Sequence, residues 1–471
     1  ISAFARISCF AALNHFISSS LPESARSMAT LLDTPKGPVR IDMAKQAEPK
    51  LSNRPISGER YWSQDFMAAE WDAIWTRAWL IGGLEEQIPE AGDYFTYEIG
   101  RESILVTRGE DGLVRAFYNV CPHRGNRLVE AEQGHSKNIA CAYHGWRFAP
   151  EGNLKFVPCP EDFAGGSPCG RVALKPVRCE TFAGFVWVNM DPGASALAEH
   201  LGPVMPQIEC YQMEKMRRTH WVTLDGDFNW KIVQDNFNES YHLPFVHPQT
   251  RYVMEQSYKE CQFDLYEPFG HARMFMPGSR PSRALAGHTD TVLAMMEREL
   301  RYWGLDPQDF EHDPLSIRAA LQKAKRANGA AKGYDYARFH DDQLTDHYHF
   351  TVFPNISFSL KPDGCIWLRA DPHPTDPERC VFDMWYFTWF PEGQNEYFSY
   401  SMGEMVDQSK PVEHKRGAVG ELSCGPGIDQ DVSIWSNQQK GLRSRGYDGG
   451  VLAGQEDRVR FFHDTIDRWI Q

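Results

Sequence analysis

The sequence predicts an α+β fold of two units in series: a small all-β domain, then a larger domain of long antiparallel strands surrounded by helices. Three observations predict it. Residues from about 90 to 195 alternate short β-branched or aromatic runs with Gly and Asp turns. Longer runs of the same kind recur beyond residue 217, separated by helical patterns. Between them, GASALAEHLGPVMPQIECY reads as a connecting helix and boundary. The expected division is residues 1–55 as a leader or disordered extension, 56–200 as the all-β domain with an N-terminal helix, and 201–471 as the second domain.

The elements follow in order. From Tyr61 to Leu80 apolar residues recur at three- and four-residue spacings, which predicts an amphipathic helix. The segments YFTYEIG, SILVTR and LVRAFYNV then read as antiparallel strands, joined by turns such as Glu110-Asp111-Gly112, and NIACAYHGWRF, LKFVPC and FAGFVWVNM continue the pattern. In the second unit, residues 218–225 and the runs HFTVFPNISFSL, CIWLRADPH and CVFDMWYFTWF predict long strands. Thr289 to Arg326 has helical spacing among many charges and reads as a mobile flap or, more plainly, an exposed helical insertion.

Composition narrows the function. Of 471 residues, 42% are hydrophobic and 24% charged, as in a globular protein, and a net charge of -14 argues against a nucleic-acid partner. No run reaches the roughly 18 to 20 apolar residues of a membrane-spanning helix. Eleven cysteines, an odd number without a dense framework, suit a reducing compartment, so a cytoplasmic location of bacterial type is expected. The Ser- and Ala-rich first 28 residues carry Arg6 and Arg26, yet Met28 is a plausible start, and an organelle leader is not expected.

Two constellations carry chemistry. Within the all-β unit, CPHRGNRL and CAYHGWRF supply Cys121, His123, Cys141 and His144, each pair followed by a glycine, Gly125 or Gly145. One thiolate and one imidazole per loop is the ligand set of a Rieske [2Fe-2S] cluster, in which two cysteines hold one iron and two histidines the other. Zinc is the alternative, but common zinc motifs pair cysteine with cysteine and histidine with histidine. Cys159, Cys169, Cys179 and Cys210 have no second ligand spacing and read as buried thiols.

Downstream, NWKIVQDNFNESYHLPFVHP holds His242 and His247, five residues apart, with Pro244 breaking the helix between them. On an unbroken helix they would diverge by about 140 degrees, so one from a helix end and one from the next loop are needed to converge on an ion. A carboxylate from GPGIDQDVSIWSNQQKGLRSRGY would complete a two-histidine, one-carboxylate face for ferrous iron. Asp431 is the choice and Asp429 the reserve, either of which also reads as an acid stabilised at a helix N-terminus.

Together the two loops and the NESYH…H segment resemble the α-subunit of Rieske non-haem iron oxygenases, the aromatic-ring-hydroxylating family, over residues from about 60 to 465. The resemblance implies a helix-grip catalytic domain enclosing mononuclear Fe(II), and a trimer of α-subunits, with or without β-subunits, in which one subunit's cluster faces its neighbour's iron. Glu239 matches the family's bridging acid between His242 and His144 of the partner subunit. Glutamate there, with QDVSIWSNQQKGLRSRGY, is similar to the branch holding carnitine and betaine monooxygenases.

No Gly-x-Gly-x-x-Gly element after a strand, Walker loop or ferredoxin cysteine spacing is present, so a separate NAD(P)H reductase, with or without a ferredoxin, is implied. The expected function is hydroxylation of a small aromatic or related organic substrate with O2. Hydroxylation or C–N cleavage of a quaternary amine is the alternative, and a Rieske electron carrier without oxygen chemistry is the reading from another class. Tyr241, Phe245, Phe353 and Trp385 are candidate pocket aromatics, although most such residues in strands are core.

Overall fold

The computed structural model describes residues 49–285, 287–399 and 404–471; the expected extension falls almost wholly outside them. The first helix, α1 (Gln64–Glu70), follows a 3-10 turn at Gly58–Tyr61 and runs on into a π turn at Trp71–Trp75. Ser63 caps it by accepting the Phe66 N–H. Leu80, expected as the helix end, instead opens strand β1 (Leu80–Leu84).

The strands that follow are β2 (Asp93–Ile99), β3 (Glu102–Arg108), β4 (Val114–Tyr118), β5 (Gln133–His135), β6 (Ile139–Ala140), β7 (Arg147–Phe148), β8 (Leu154–Phe156), β9 (Pro176–Phe182) and β10 (Phe185–Asn189). Seven form one sheet in the order β1-β10-β9-β4-β3-β2-β5, and β6-β7-β8 form a separate three-stranded sheet. The connecting segment is two short helices, α2 (Leu197–Leu201) and α3 (Met205–Glu209), split by Gly202 at φ 46 and by Pro203.

The second unit contains β11 (Arg217–Gly226), α4 (Trp230–Phe237), α5 (Leu243–Val246), β12 (Gln262–Tyr266), β13 (His271–Met276), α6 (Thr289–Tyr302) and α7 (Ile317–Asn328). It continues with β14 (His347–Val352), β15 (Ile356–Lys361), β16 (Gly364–Pro372), β17 (Cys380–Thr388), β18 (Glu396–Ser399), β19 (Glu404–Asp407), β20 (His414–Ala418), α8 (Pro426–Leu442) and α9 (Asp457–Ile470). Eight strands form the central sheet, β12-β13-β14-β15-β16-β17-β11-β20, antiparallel except for the β11–β20 pair. HFTVFPNISFSL, expected as one long strand, is a hairpin of β14 and β15, because Phe353, Pro354 and Asn355 make the turn.

Each face of this sheet is buried. Phe350, Phe358, Trp367 and Trp385 pack with α6 and α7 on one side, whereas Leu368, Phe382 and Met384 pack with α4, α8 and α9 on the other. The stretch expected as a flap or exposed insertion is therefore neither. Val292, Leu300, Ile317 and Leu321 are wholly buried in the first core, and most of its charges occupy the outer face, Lys325 being buried against the Leu344 carbonyl and Glu299. Among the candidate aromatics, Phe353 and Trp385 are core, whereas Tyr241 and Phe245 are exposed.

A buried ion pair fastens the N-terminal helix to α4. Lys231 Nζ lies 2.7 Å from Glu70 Oε1, and both side chains are essentially inaccessible. Burial moves the Glu70 carboxyl up and the Lys231 amine down, with their mutual attraction opposing both shifts. Lys231→Met alone strands a buried carboxylate and is expected to cost about 3–5 kcal/mol in urea unfolding, while Lys231→Met with Glu70→Leu recovers most of it. An unchanged midpoint in the single variant would show that the pair is not what holds α4.

Candidate functional site: two loops and a histidine–carboxylate triad

The Cys121 and Cys141 loops have the same internal hydrogen bonds. Cys121 N–H donates to Asn126 O and Gly125 N–H to Cys121 O, and Cys141 N–H likewise donates to Trp146 O and Gly145 N–H to Cys141 O. Gly125 and Gly145 have φ of 73 and 69, a conformation that side chains resist, while no neighbour lies within 4 Å of where a Cβ would stand. Backbone shape, not crowding, requires glycine.

All four predicted residues of this half come together. Cys121 and Cys141 are buried, and the His123 and His144 rings lie 4.7 Å apart. Trp146 stacks flat on His123 at 4.6 Å. Both Nδ1 atoms, of His123 and His144, are buried with no hydrogen-bond partner. Two buried thiols and two orphaned imidazole nitrogens at the tips of matched loops fit a Rieske cluster. Cys159, expected to be buried, is exposed in a left-handed turn.

The second half is built around α5. His242 and His247 flank this four-residue turn, and Pro244 sits in its first turn, where its missing N–H costs nothing, so it starts a helix here and does not break one. Asp431, in the second turn of α8, places Oδ1 2.8 Å from His247 Nε2 and 3.5 Å from His242 Nε2. One ligand atom from each of the three lies within 4.8 Å of the others. A surface cavity of about 430 Å³ between Arg217–Val222 and Met405–Lys410 includes none of these residues.

Neighbours fix the imidazoles. His242 Nδ1 bonds Glu239 Oε1, and Glu239 Oε2 accepts the backbone N–H groups of Tyr241 and His242, so the acid also holds the backbone that leads into α5. His247 Nδ1–H donates to Gln430 Oε1 at 2.8 Å, and Gln249 Nε2 donates to the same oxygen. Each Nε2 is thereby turned toward Asp431, the arrangement that presents imidazole to a metal. Burial alone would lower the His247 pKa, but the Asp431 carboxylate outweighs it and raises the value.

Gln430 and Gln249 were not predicted; adjacency of Gln430 to Asp431 was the one available signal. Asp429 is not part of the triad. Its carboxylate accepts Ser423 Oγ–H and Cys424 N–H at the start of α8, which is the helix-terminal role.

Residues 213–471 match the ring-hydroxylating α-subunit catalytic domain, more than half of the chain, and residues 78–176 match the Rieske [2Fe-2S] domain. The chain belongs to the ring-hydroxylating α-subunit family. This family places a Rieske cluster in the first domain and a mononuclear iron in the second. The carnitine monooxygenase oxygenase subunit of Escherichia coli (strain K12) is 37% identical over 196 residues, 41% of this chain and 52% of that protein. The chain thus spans about half the length of the first curated relatives it matches. The large oxygenase component of the 2,4-dinitrotoluene dioxygenase system of Burkholderia sp. (strain RASC) is 34% identical over 402 residues, 82% of this chain and 80% of that one.

Among solved structures, a quaternary ammonium Rieske monooxygenase superposes with a TM-score of 0.64 at 19% identity, over 91% of this ring-hydroxylating α-subunit and 100% of that chain. Naphthalene 1,2-dioxygenase with indole bound gives 0.59 at 20%, over 89% and 93%. Both likenesses establish the fold.

The triad and the helix-terminal acid separate by substitution. Asp431→Ala is expected to lose mononuclear iron in metal analysis while the cluster's visible absorption stays. Asp429→Ala is expected to keep the iron and lose about 1 kcal/mol of stability. Iron retained in Asp431→Ala would remove that residue from the site.

Proposed function

We propose that the protein is the oxygenase component of a multicomponent Rieske oxygenase, a trimer in the cytoplasm that receives electrons from NAD(P)H through a separate reductase and hydroxylates a small ring substrate with O2. The convergence of His242, His247 and Asp431, downstream of a loop pair with two orphaned imidazole nitrogens, carries this reading. Residues 56–200 form the electron-receiving unit and 201–471 the catalytic one. In the first unit Cys121, His123, Cys141 and His144 would hold the cluster, and in the second His242, His247 and Asp431 would hold iron.

When bound, the cluster supplies one-electron transfer and the ferrous ion supplies activation of dioxygen. Asp431 contributes the negative charge that offsets a divalent cation in a buried site. Glu239 and Gln430 each accept the Nδ1 proton of one histidine, which keeps Nε2 unprotonated and oriented. Glu239 lies on the same short turn as His242, and its carboxylate retains lone pairs for a second donor. By likeness to the family, that donor is the outward nitrogen of His144 of the partner subunit.

An apolar patch beside the triad supports a ring substrate. Leu243, which follows His242, packs with Met254, Cys261, Phe263, Met274 and Met276. One aromatic ring in this patch suits a hydrocarbon surface better than a cation, which several rings would cage. Oxidation of a quaternary amine is the second reading, favoured by Glu239 and by the carnitine and glycine betaine monooxygenase relatives.

Glu239→Gln is expected to retain both metals and a reducible cluster, while product formation falls at least about 10-fold. Oxygen uptake with a surrogate reductase measures it, beside metal analysis. Near wild-type turnover in this variant would refute the bridging role, and no substrate-dependent uptake from any ring compound or quaternary amine in the wild-type protein would refute the oxygenase reading.

A further inference from the structure

A charge taken out of water is costly unless an opposite charge meets it, so buried cations in folded proteins are paired. Several buried cations of this chain follow the rule. Arg273 holds Asp264 through Nε at 3.0 Å and Nη2 at 2.8 Å, and Arg280 holds Glu255 at 3.1 Å. Arg458 does not follow it. The residue is wholly buried, its Nε and Nη1 have no hydrogen-bond partner, and Nη2 donates to a neutral acceptor, Thr351 Oγ1, at 3.3 Å. It also stands in the first turn of α9, where the helix dipole disfavours a cation. Burial pushes its pKa down to about 9, which leaves the guanidinium charged at neutral pH.

This charge stands behind the acid that orients His242. Thr351 Oγ1, which accepts from Arg458, donates in turn to Asn238 Oδ1 at 2.8 Å, and Asn238 directly precedes Glu239. The turn before α9 touches the same segment, with Ser240 Oγ donating to Gln455 Oε1 at 3.3 Å. Asp264 and Glu239 are the two carboxylates that act electrostatically on Arg458. Asp264 is matched by Arg273. Among the described residues Glu239 has no lysine or arginine partner, and its ion-pair contact is His242 Nδ1. An unmatched buried cation and an acid without a cation of its own thus lie on the two sides of one turn.

We propose that Arg458 is a positioning residue whose fixed positive charge, acting through Glu239 on His242, biases the mononuclear iron toward the ferrous state. This rests on the reading of His242, His247 and Asp431 as the iron site. A carboxylate on Nδ1 makes an imidazole a more basic ligand, and basic ligands favour the more highly charged ferric ion. A cation behind that carboxylate offsets it, and the field of the cation itself opposes the third positive charge on iron. Both effects have the same sign. They give the unpaired guanidinium a role that a packing residue does not need, since an apolar chain of like length fills the same space without the cost of a buried charge.

Redox titration of the iron-loaded full chain, read on the high-spin ferric signal in electron paramagnetic resonance, tests this beside competition of the bound ferrous ion against a chelator. Arg458→Met is expected to lower the midpoint potential of the mononuclear iron and to hold ferrous iron at least about threefold more tightly, because a positive charge near a cation has been removed. Arg458→Lys keeps the charge and is expected to leave both values near those of the wild-type chain. A side chain that only packs α9 against the sheet gives a different pattern. Weaker iron retention in Arg458→Met, a midpoint that does not move, or a lysine variant that behaves like methionine each overturns the proposal and leaves the iron site standing. Arg458→Gln carries the same expectation and replaces methionine if that variant does not fold. Absence of a mononuclear ferric signal from wild-type chain with an intact cluster overturns the iron-site reading itself, and the proposal with it.

Discussion

The contact of the Asp431 carboxylate with the Nε2 atoms of both His242 and His247 is the constraint on which the catalytic half depends. It joins side chains that are 184 residues apart in the chain, so every element between them has to deliver two helices to one point. The position of α4 is set from outside by the buried Lys231–Glu70 pair and by Asp235, which takes Tyr61 Oη–H at 2.5 Å and meets His463 Nε2 at 3.0 Å. Trp435 sets α8, wholly buried against Phe228, Phe237 and Phe382. Gln439 ties the two together by accepting the Asn229 N–H and donating to the Tyr61 carbonyl. A site held by rigid elements keeps its ligand geometry where loops alone would let it drift.

The first domain reaches the same end by local means. Each cluster loop closes on itself through two backbone hydrogen bonds and a glycine with positive φ, and the short β6–β7–β8 sheet supports it. Its ligand atoms are therefore placed by residues within a few positions of them. Stacking of Trp146 on His123 fixes the plane of that imidazole. The two halves thus differ in what a destabilising substitution would do: remote core changes threaten the triad, whereas only nearby ones threaten the loops.

This difference explains what was legible in the sequence. Local devices leave local signatures, and Cys121, His123, Cys141, His144 and their glycines stand in two contiguous motifs. The histidine pair was legible because His242 and His247 share one segment, and Asp431 because its segment held two acids, of which geometry chose the second. Gln249 left no signal and Gln430 only its adjacency to Asp431, since a glutamine beside a ligand has no spacing rule. Among the strands, β1 was hidden by Gly82 and Gly83 and β9 by the charges of Arg178 and Glu180; β1 pairs with β10, and β9 lies between β10 and β4. The Phe353-Pro354 turn was hidden inside an unbroken β-like pattern, and the helices α6 and α7 looked solvated because their apolar stripe is narrow.

Family membership and geometry converge on a chain with two iron centres of different kinds, a Rieske cluster in the first domain and a mononuclear ion in the second. Acid-labile sulfide and iron analysis of the purified chain measures this most directly. The account predicts about three irons and about two sulfides per chain, the sum of a [2Fe-2S] cluster and one mononuclear ion. About two irons with about two sulfides would contradict the triad as an iron site, and zinc without sulfide would contradict both centres.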